Sequence, residues 1–411
     1  MYKQRILDEY CPMCYDKNEK KHIFKTSNAF ISVGELSRFA YEIMGGGGGY
    51  CKGDMDIEIV QCWNCGYVYN KLFDNEKMKQ AYFDGEYITP KVISEVMSAN
   101  IIFLKNKIKK YAGDDKVFLE IAPGACDLLL ALLKDFKFAY SVDPSFTPDL
   151  LLSNYENISH IRNFFSYQVV KEKINHKINF VILRHLIEHI HNPREFLEDV
   201  VKLLEDNGVI YIETPNLLNI INSKRFYEIR HEHCAYYQEN TLINIMLLLG
   251  CSLIETLYLY DGQWIGLFFR KNIENRKKRD ITYIDYKEGY KFISEIQYLE
   301  KILKKYQKII IYGAGGHANS MMSYLSEDNC KKIIRAIDAD ERRWGTYLQK
   351  SSIKIVEPSI ENIKDAECIL MIMPIYEKKV IEKEVEKFMK DGRLNLDVIC
   401  TSDTIQIKKL V

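Results

Sequence analysis

The stretch Val117-Phe-Leu-Glu-Ile-Ala-Pro-Gly-Ala-Cys126 decides how this chain is read. Its first five residues form a short apolar strand, Pro123-Gly124-Ala125 turn the chain, and Asp127 to Leu133 resume as an apolar helix. Strand, glycine-bearing turn and helix in immediate succession are the unit of a parallel α/β sheet. Outward from it, Tyr140-Ser-Val-Asp143 is the next strand and ends in an acid; Asn179-Phe-Val-Ile-Leu183 is a third. Pro193 to Leu204 is an amphipathic helix, and Gly208-Val-Ile-Tyr-Ile-Glu213 is a further strand before Thr214-Pro215-Asn216. The pattern predicts a doubly wound domain over residues 95–270. In such sheets ligands sit at the carboxyl ends of the strands, where glycine admits a close approach and a helix offers free N–H groups. Glu120 to Cys126 occupies that place, and Asp143 stands where a carboxylate accepts ribose hydroxyls.

The strand-helix logic restarts at Lys308-Ile-Ile-Ile-Tyr312, followed by Gly313-Ala-Gly-Gly-His317 and a helix through Leu325. Ile333 to Asp338 and Ile369 to Met373 read as further strands, which predicts a second Rossmann-like domain over residues 305–411. A charged stretch from Arg270 to Asp280 and a long helix ending near Tyr306 separate the two. Before both lie two cysteine pairs, Cys11-Pro-Met-Cys14 and Cys62-Trp-Asn-Cys65. Two residues between cysteines let the backbone turn so that both thiolates meet one tetrahedral ion, and four thiolates close a structural zinc shell. The long intervening segment carries the run Gly45 to Gly49, read as a flexible loop tip, and Cys51, read as a spectator because it lacks a CxxC partner. The chain is therefore expected to be α/β in three parts: a zinc-binding domain over 1–75, a nucleotide-type domain over 76–270 and a second Rossmann-like domain over 271–411.

Composition agrees with several packed cores: 411 residues, 47% of them hydrophobic. Lysine plus arginine and aspartate plus glutamate both total 57, so no global field favours nucleic acid or an anionic membrane, and neither is expected as a partner. The opening MYKQRILDEY carries charges where a signal peptide needs an apolar core, and no apolar run approaches the roughly 18 residues of a membrane span. A soluble cytoplasmic protein is the expectation. Eleven cysteines in such a compartment point to metal ligation in preference to disulfides.

Read in order, Glu120-Ile-Ala-Pro-Gly124, Val142-Asp143-Pro144, Phe180-Val-Ile-Leu-Arg-His-Leu-Ile-Glu-His189, Asn192-Pro193 and Gly208 to Asn216 resemble a class I S-adenosylmethionine-dependent methyltransferase. With the cysteine knuckles before and Tyr312-Gly-Ala-Gly-Gly316 after, the whole chain resembles the three-part sugar C-methyltransferase family. That resemblance implies S-adenosylmethionine and structural zinc as cofactors and a nucleotide-linked sugar as small-molecule substrate. It implies that Glu120, Ala122 and Gly124 line the methionine side of the cofactor, Asp143 holds the ribose, Asn163 lies near the adenine and Arg184 completes the set. The family's first loop reads Glu-x-Gly-x-Gly-x-Gly, whereas Ala122 and Cys126 stand at the outer glycines here. A methyl at such a position is tolerated where φ is negative, with its Cβ narrowing the pocket.

The cluster Arg230-His231-Glu232-His233, followed by Ala235-Tyr-Tyr237, resembles the family's Glu-His pair. There a histidine removes a proton beside a sugar ketone, which implies His233 as base and Glu232 as its orienting carboxylate. Histidine suits the task because its ordinary pKa lies near neutrality. His189, on the loop after the third strand, is the competing base, and Tyr87 is implied to reach over the site. Where the family has a tyrosine two places before the glutamate, this chain has Arg230, and of the family's Asn-x-x-x-His only the histidine, His189, is kept. Carbon and oxygen acceptors both stay open. One-residue spacing would place His231 and His233 on one face of a strand, so a surface loop or a metal-like cluster competes with a substrate-site role. Arg230, His231, Gly313, Gly315 and His317 are assigned to substrate. Gly313, Gly315 and Ala318 with Asp338 also fit a GxGxxA dinucleotide turn, a weaker reading. The alternative from another class is a non-catalytic protein that binds a sugar nucleotide and has lost its cofactor.

Overall fold

The structure is a computed structural model that describes residues 10–17, 19–34, 37–39, 52–84, 91–113, 116–145, 147–272 and 277–409. Its central sheet has seven strands in the order Cys251–Leu259, Trp264–Lys271, Leu204–Pro215, Ile178–Arg184, Val117–Ile121, Phe138–Val142, Ile158–Ile161. The last five run parallel, while Trp264–Lys271 is antiparallel to both its neighbours. Every residue of Val117–Ile121 is buried, which is why the strand reads as a continuous apolar run: helices cover both faces of a parallel sheet. Helix Pro193–Leu203 starts with proline at its first turn, where the missing N–H costs nothing, and buries Leu197, Val200 and Val201. Strand order reverses beside Val117–Ile121, and the crevice at such a reversal opens at the carboxyl ends of the strands.

A second parallel sheet follows: Ile355–Val356, Ile333–Ile337, Ile309–Tyr312, Cys368–Met371 and Asp397–Cys400, with Gln406–Lys409 antiparallel at the edge. It too reverses order beside its first strand. The third sheet is antiparallel and joins Lys20–Ala29, Met55–Cys62 and Val68–Asn70 to Ala235–Tyr236, so the segment after the histidine cluster is a strand of the N-terminal sheet. Helix Lys287–Leu303 lies on that sheet, with Phe24 edge-on to Phe292 at 5.5 Å. Gly289 permits the approach, since a Cβ there would stand 1.9 Å from the Ile23 carbonyl oxygen.

The cores explain where the site falls. One apolar cluster runs through Phe24 and Ile57 of the N-terminal sheet and Phe30 just after its first strand, Phe226 and Ile229 before the histidine cluster, Ile309 and Leu370 of the C-terminal sheet, and Met321 of helix Gly316–Tyr324. A second joins Cys11, Met13, Tyr67 and Tyr69 to Leu183, Ile187 and Tyr237 against the central sheet. Burial of this kind contributes about 1.5–3 kcal/mol for each large side chain. Residues 226–237 are thereby held where all three sheets meet. Among the described residues no helix is long and apolar enough to cross a membrane.

Candidate active site

At the end of Val117–Ile121 the chain enters the left-handed region three times: Ala122 at φ 56°, Gly124 at 57° and Cys126 at 62°. The negative φ that would make a side chain tolerable is found at neither Ala122 nor Cys126. The turn keeps the backbone that glycine ordinarily supplies and accepts strain of about 1–2 kcal/mol per residue to do so. Neighbouring strands fix it, with Ala122 N–H donating to the Val142 carbonyl at 2.8 Å. Glu120 is buried and its Oε2 has no hydrogen-bond partner, so burial pushes its carboxyl up to about 7 although Arg184 works against the shift. An orphaned buried oxygen beside a strained turn is a seat for a ligand's donor. Asp143, also buried, accepts from Ser145 N–H through Oδ1 only (2.8 Å), and Asn163 is exposed just after Ile158–Ile161. These residues fit a bound S-adenosylmethionine.

Arg184 does not stand alone at the cofactor side. Its Nε and Nη2 lie 3.2 and 3.1 Å from the two oxygens of Glu213, which also meets His185 Nε2 at 3.1 Å and Tyr211 Oη at 2.7 Å. Burial works to raise the Glu213 carboxyl, but Arg184 and His185 outweigh it and hold the group ionised. Glu213 was visible in the sequence only as the last residue of a strand.

The histidine cluster is a turn and not a strand, so its two histidines face different ways. His231 is fully buried, stacked on Phe73 at 5.3 Å, with Nε2 accepting Asp74 N–H at 3.2 Å. It packs under the N-terminal sheet, which corrects the substrate assignment. Glu232 does not orient His233: its Oε2 accepts from Ser32 Oγ at 2.8 Å and Val33 N–H at 3.1 Å, and its Oε1 lies 3.4 Å from Arg230 Nε. Those partners hold its carboxyl below the ordinary range despite burial. His233 Nε2 accepts instead from Arg230, 2.8 Å from Nη2 and 3.2 Å from Nε. Burial, then the arginine charge, keep its imidazole neutral well below the usual histidine value. His189 lies across from it, ring centroids 4.8 Å apart. Its Nδ1 is 3.0 Å from the Glu232 carbonyl oxygen, so Nδ1–H donates there and the Nε2 lone pair is left for other use. Burial lowers its pKa to about 4, with Glu232 partly offsetting the effect. His189 is partly exposed, whereas His233 is not.

Glu188 completes a group with His189 and His233 whose ligand atoms all lie within 4.8 Å. It does not form a ready cation site, because the one lone pair of neutral His233 is taken by Arg230. Burial pushes the Glu188 carboxyl up to about 8, and Thr214 Oγ1 donates to it at 3.1 Å. Sequence reasoning gave no role to Glu188, Ser32 or Val33 and named Tyr82 only as preceding the cofactor domain with Tyr87; the Tyr82 hydroxyl is 3.4 Å from His189 Nδ1. Tyr87 lies outside the described residues, as do Gly45 to Gly49 and Cys51.

The C-terminal glycine turn faces this cluster. Gly313 has φ 97°, and a Cβ there would meet the Ile372 carbonyl oxygen at 2.7 Å; Gly315 has open space about it. His317 Nε2 pairs with Glu228 at 3.0 Å. Asp338, the acid a dinucleotide's ribose would need, is already engaged: Ala314 N–H at 2.9 Å on Oδ2 and Asp340 N–H at 2.9 Å on Oδ1. The Cys11 and Cys65 sulfurs are 3.6 Å apart and the Cys14 and Cys62 sulfurs 3.7 Å. Sulfurs about 2.3 Å from a tetrahedral centre stand about 3.8 Å from one another, so the four cysteines fit zinc.

Residues 95–256 match the family model of a methyltransferase domain. No curated protein matches the chain. Among solved structures it is similar to the N-methyltransferase NodS from Bradyrhizobium japonicum in complex with S-adenosyl-l-homocysteine, at 13% identity over 44% of this chain and 89% of that one, TM-score 0.35. It is also similar to 1,6-didemethyltoxoflavin-N1-methyltransferase from Burkholderia thailandensis (11%, 52% and 98%, TM-score 0.36) and to a SAM-dependent methyltransferase from Methanosarcina mazei (11%, 41% and 98%, TM-score 0.32). The family model covers the segment that carries the strained turn, the orphaned Glu120 and Asp143, and those residues match as a methyltransferase domain.

Proposed function

We propose that the chain methylates a nucleotide-linked sugar held between the central sheet and the C-terminal glycine turn, with His189 as the base that takes the acceptor's proton. S-adenosylmethionine, when bound, supplies an electrophilic methyl group. Glu120, Ala122, Gly124 and Asp143, with Asn163 and Arg184 beside them, would hold it at the carboxyl ends of the strands. The observation that carries the base assignment is a contrast of lone pairs: His189 Nε2 is left open by the Nδ1 hydrogen bond, and His233 Nε2 is occupied by Arg230. With its pKa lowered to about 4, His189 is neutral at working pH and keeps its Nε2 lone pair, and is a weaker base than an ordinary histidine. The nucleotide-sugar reading is supported by the motif order and by the approach of the glycine turn to Arg230 at Gly316. Four thiolates bind one structural zinc in this reading, closing the shell and leaving chemistry to the cleft.

The test compares His189→Ala and His233→Ala at saturating cofactor and acceptor. General-base catalysis commonly contributes roughly 10²–10⁴-fold, so His189→Ala should lose turnover on that scale with S-adenosylhomocysteine affinity intact. Full turnover in His189→Ala removes the base assignment. Calorimetry showing no binding of S-adenosylmethionine or S-adenosylhomocysteine removes the enzyme reading. The carbon NMR shift of the transferred methyl tells a carbon from an oxygen acceptor.

A further inference from the structure

Arg230 ties three parts of the molecule together at one point. It grips His233 Nε2 through Nη2 and Nε and lies 3.4 Å from Glu232, which Ser32 and Val33 of the N-terminal segment hold in turn. On its far side is Gly316, the first residue of helix Gly316–Tyr324. A Cβ on Gly316 would stand 3.1 Å from Arg230 Nη1 and 3.1 Å from Val33 Cγ2, so a larger residue there would push the guanidinium by a few tenths of an ångström. Neutral imidazole has one lone pair, and a donor that never loses its charge holds it here, which places the ring proton on Nδ1. We propose that Arg230 is a positioning residue that withdraws His233 from proton transfer and leaves His189 as acceptor of the substrate's proton, and that Gly316 of the C-terminal lobe sets this arrangement by admitting the guanidinium.

The catalytic consequence rests on the His189 reading above; the clamp itself does not. The charged and titratable groups around His233 are Arg230, His189, Glu188, His185 and His317, with Tyr236 at 6.2 Å, and Arg230 is the one in direct hydrogen-bond contact. A cation at that distance disfavours a second positive charge by an amount equivalent to about 1–3 pH units, so its removal should be seen directly.

Nitrogen NMR of the full chain, labelled at histidine and free of substrate, provides the test. In the wild type His233 should be the neutral Nδ1–H tautomer down to the lowest pH at which the fold persists. Arg230→Met should raise the His233 titration by about one unit or more. Gly316→Ala should move it in the same direction by less, and should add nothing in the Arg230→Met background. A His233 titration unmoved by Arg230→Met overturns the clamp; a Gly316→Ala shift of equal size in both backgrounds overturns the role of Gly316. If Gly316→Ala impairs folding, adding Arg230→Ser, which shortens the side chain that the new methyl meets, should restore it, and failure of that rescue also overturns the assignment. Should His189→Ala keep full turnover while these shifts appear, the base reading falls and the clamp stands.

Discussion

Two turns of this molecule occupy the same topological place, each after the first strand of a parallel sheet, and the glycine-poor one has more hydrogen-bonding capacity left open beside it. Ala122, Gly124 and Cys126 hold three left-handed residues with a single glycine among them, and beside them Glu120 Oε2 is unsatisfied and Asp143 has one oxygen engaged by Ser145. The turn at Gly313 to Gly316 carries three glycines, yet only Gly313 needs its positive φ, to pass Ile372, and Gly316 is used to seat Arg230. Its acid, Asp338, accepts backbone N–H groups on both oxygens. What marks a binding turn is therefore the hydrogen-bonding capacity left over around it and not its glycine count.

The sharpest way to break this comparison is to remove both acids. Asp143→Ala should weaken S-adenosylhomocysteine binding by about 3 kcal/mol or more, roughly 100-fold, because two hydrogen bonds to a charged group are lost at about 1.5–3 kcal/mol each. Asp338→Ala should leave that affinity unchanged and lower the melting temperature instead. Calorimetry on both variants decides; equal losses of affinity would mean that the turns share one ligand.

Next in size is the pH dependence that Glu120 imposes on the cofactor-free protein. Its folded pKa of about 7 lies above the ordinary carboxyl value near about 4.3. The folded state then binds the proton more tightly, so this contribution to stability is present below the unfolded pKa and is lost as pH rises towards about 7, by at most about 1.4 kcal/mol per pH unit. Melting temperature should fall between about pH 4.5 and 7, and Glu120→Gln should flatten that part of the curve. Glu188, raised to about 8, adds a similar slope over about pH 4.5 to 8 that overlaps that of Glu120, and Glu188→Gln separates the two. A Glu120→Gln curve superimposable on the wild type would show that Glu120 is paired after all.

Much of the scaffold was legible because it is local. Val117–Ile121 is a strand as read, Ile333–Ile337 stops one residue short of its reading, and Ile178–Arg184 extends the Asn179 to Leu183 run by one residue at each end, since an apolar run between turn residues has few other uses. The paired cysteines were legible for the same reason: a CxxC turn points two thiolates at one centre. What escaped was partnership across the fold. His231, Glu232 and His233 are adjacent in sequence, yet one packs on Phe73, one on Ser32 and Val33, and one on Arg230. Spacing gave no sign that Ala235–Tyr236 would join Val68–Asn70, a pairing that draws the segment after the cluster into the N-terminal sheet. The left-handed φ of Ala122 and Cys126 was hidden as well, because a residue type that disfavours a conformation hides it.

The smallest effects lie in the turns' own backbones. At Gly313, φ 97° and the 2.7 Å approach to the Ile372 carbonyl make Gly313→Ala both strained and crowded, for an expected loss of about 2 kcal/mol or more of stability. Ala122→Gly should act in the opposite direction. It releases about 1–2 kcal/mol of left-handed strain, and the greater freedom of glycine in the unfolded chain returns about 0.5–1 kcal/mol of that. The net is a gain of at most about 1.5 kcal/mol, with each 1 kcal/mol raising the melting temperature of a domain of this size by roughly 2–4 °C. Cofactor affinity should hold or improve, since the φ that the turn needs is then adopted without a Cβ. A drop in stability for Ala122→Gly would mean that the methyl makes packing contacts worth more than the strain, and the glycine-poor turn would then be held by its side chains and not merely tolerated despite them.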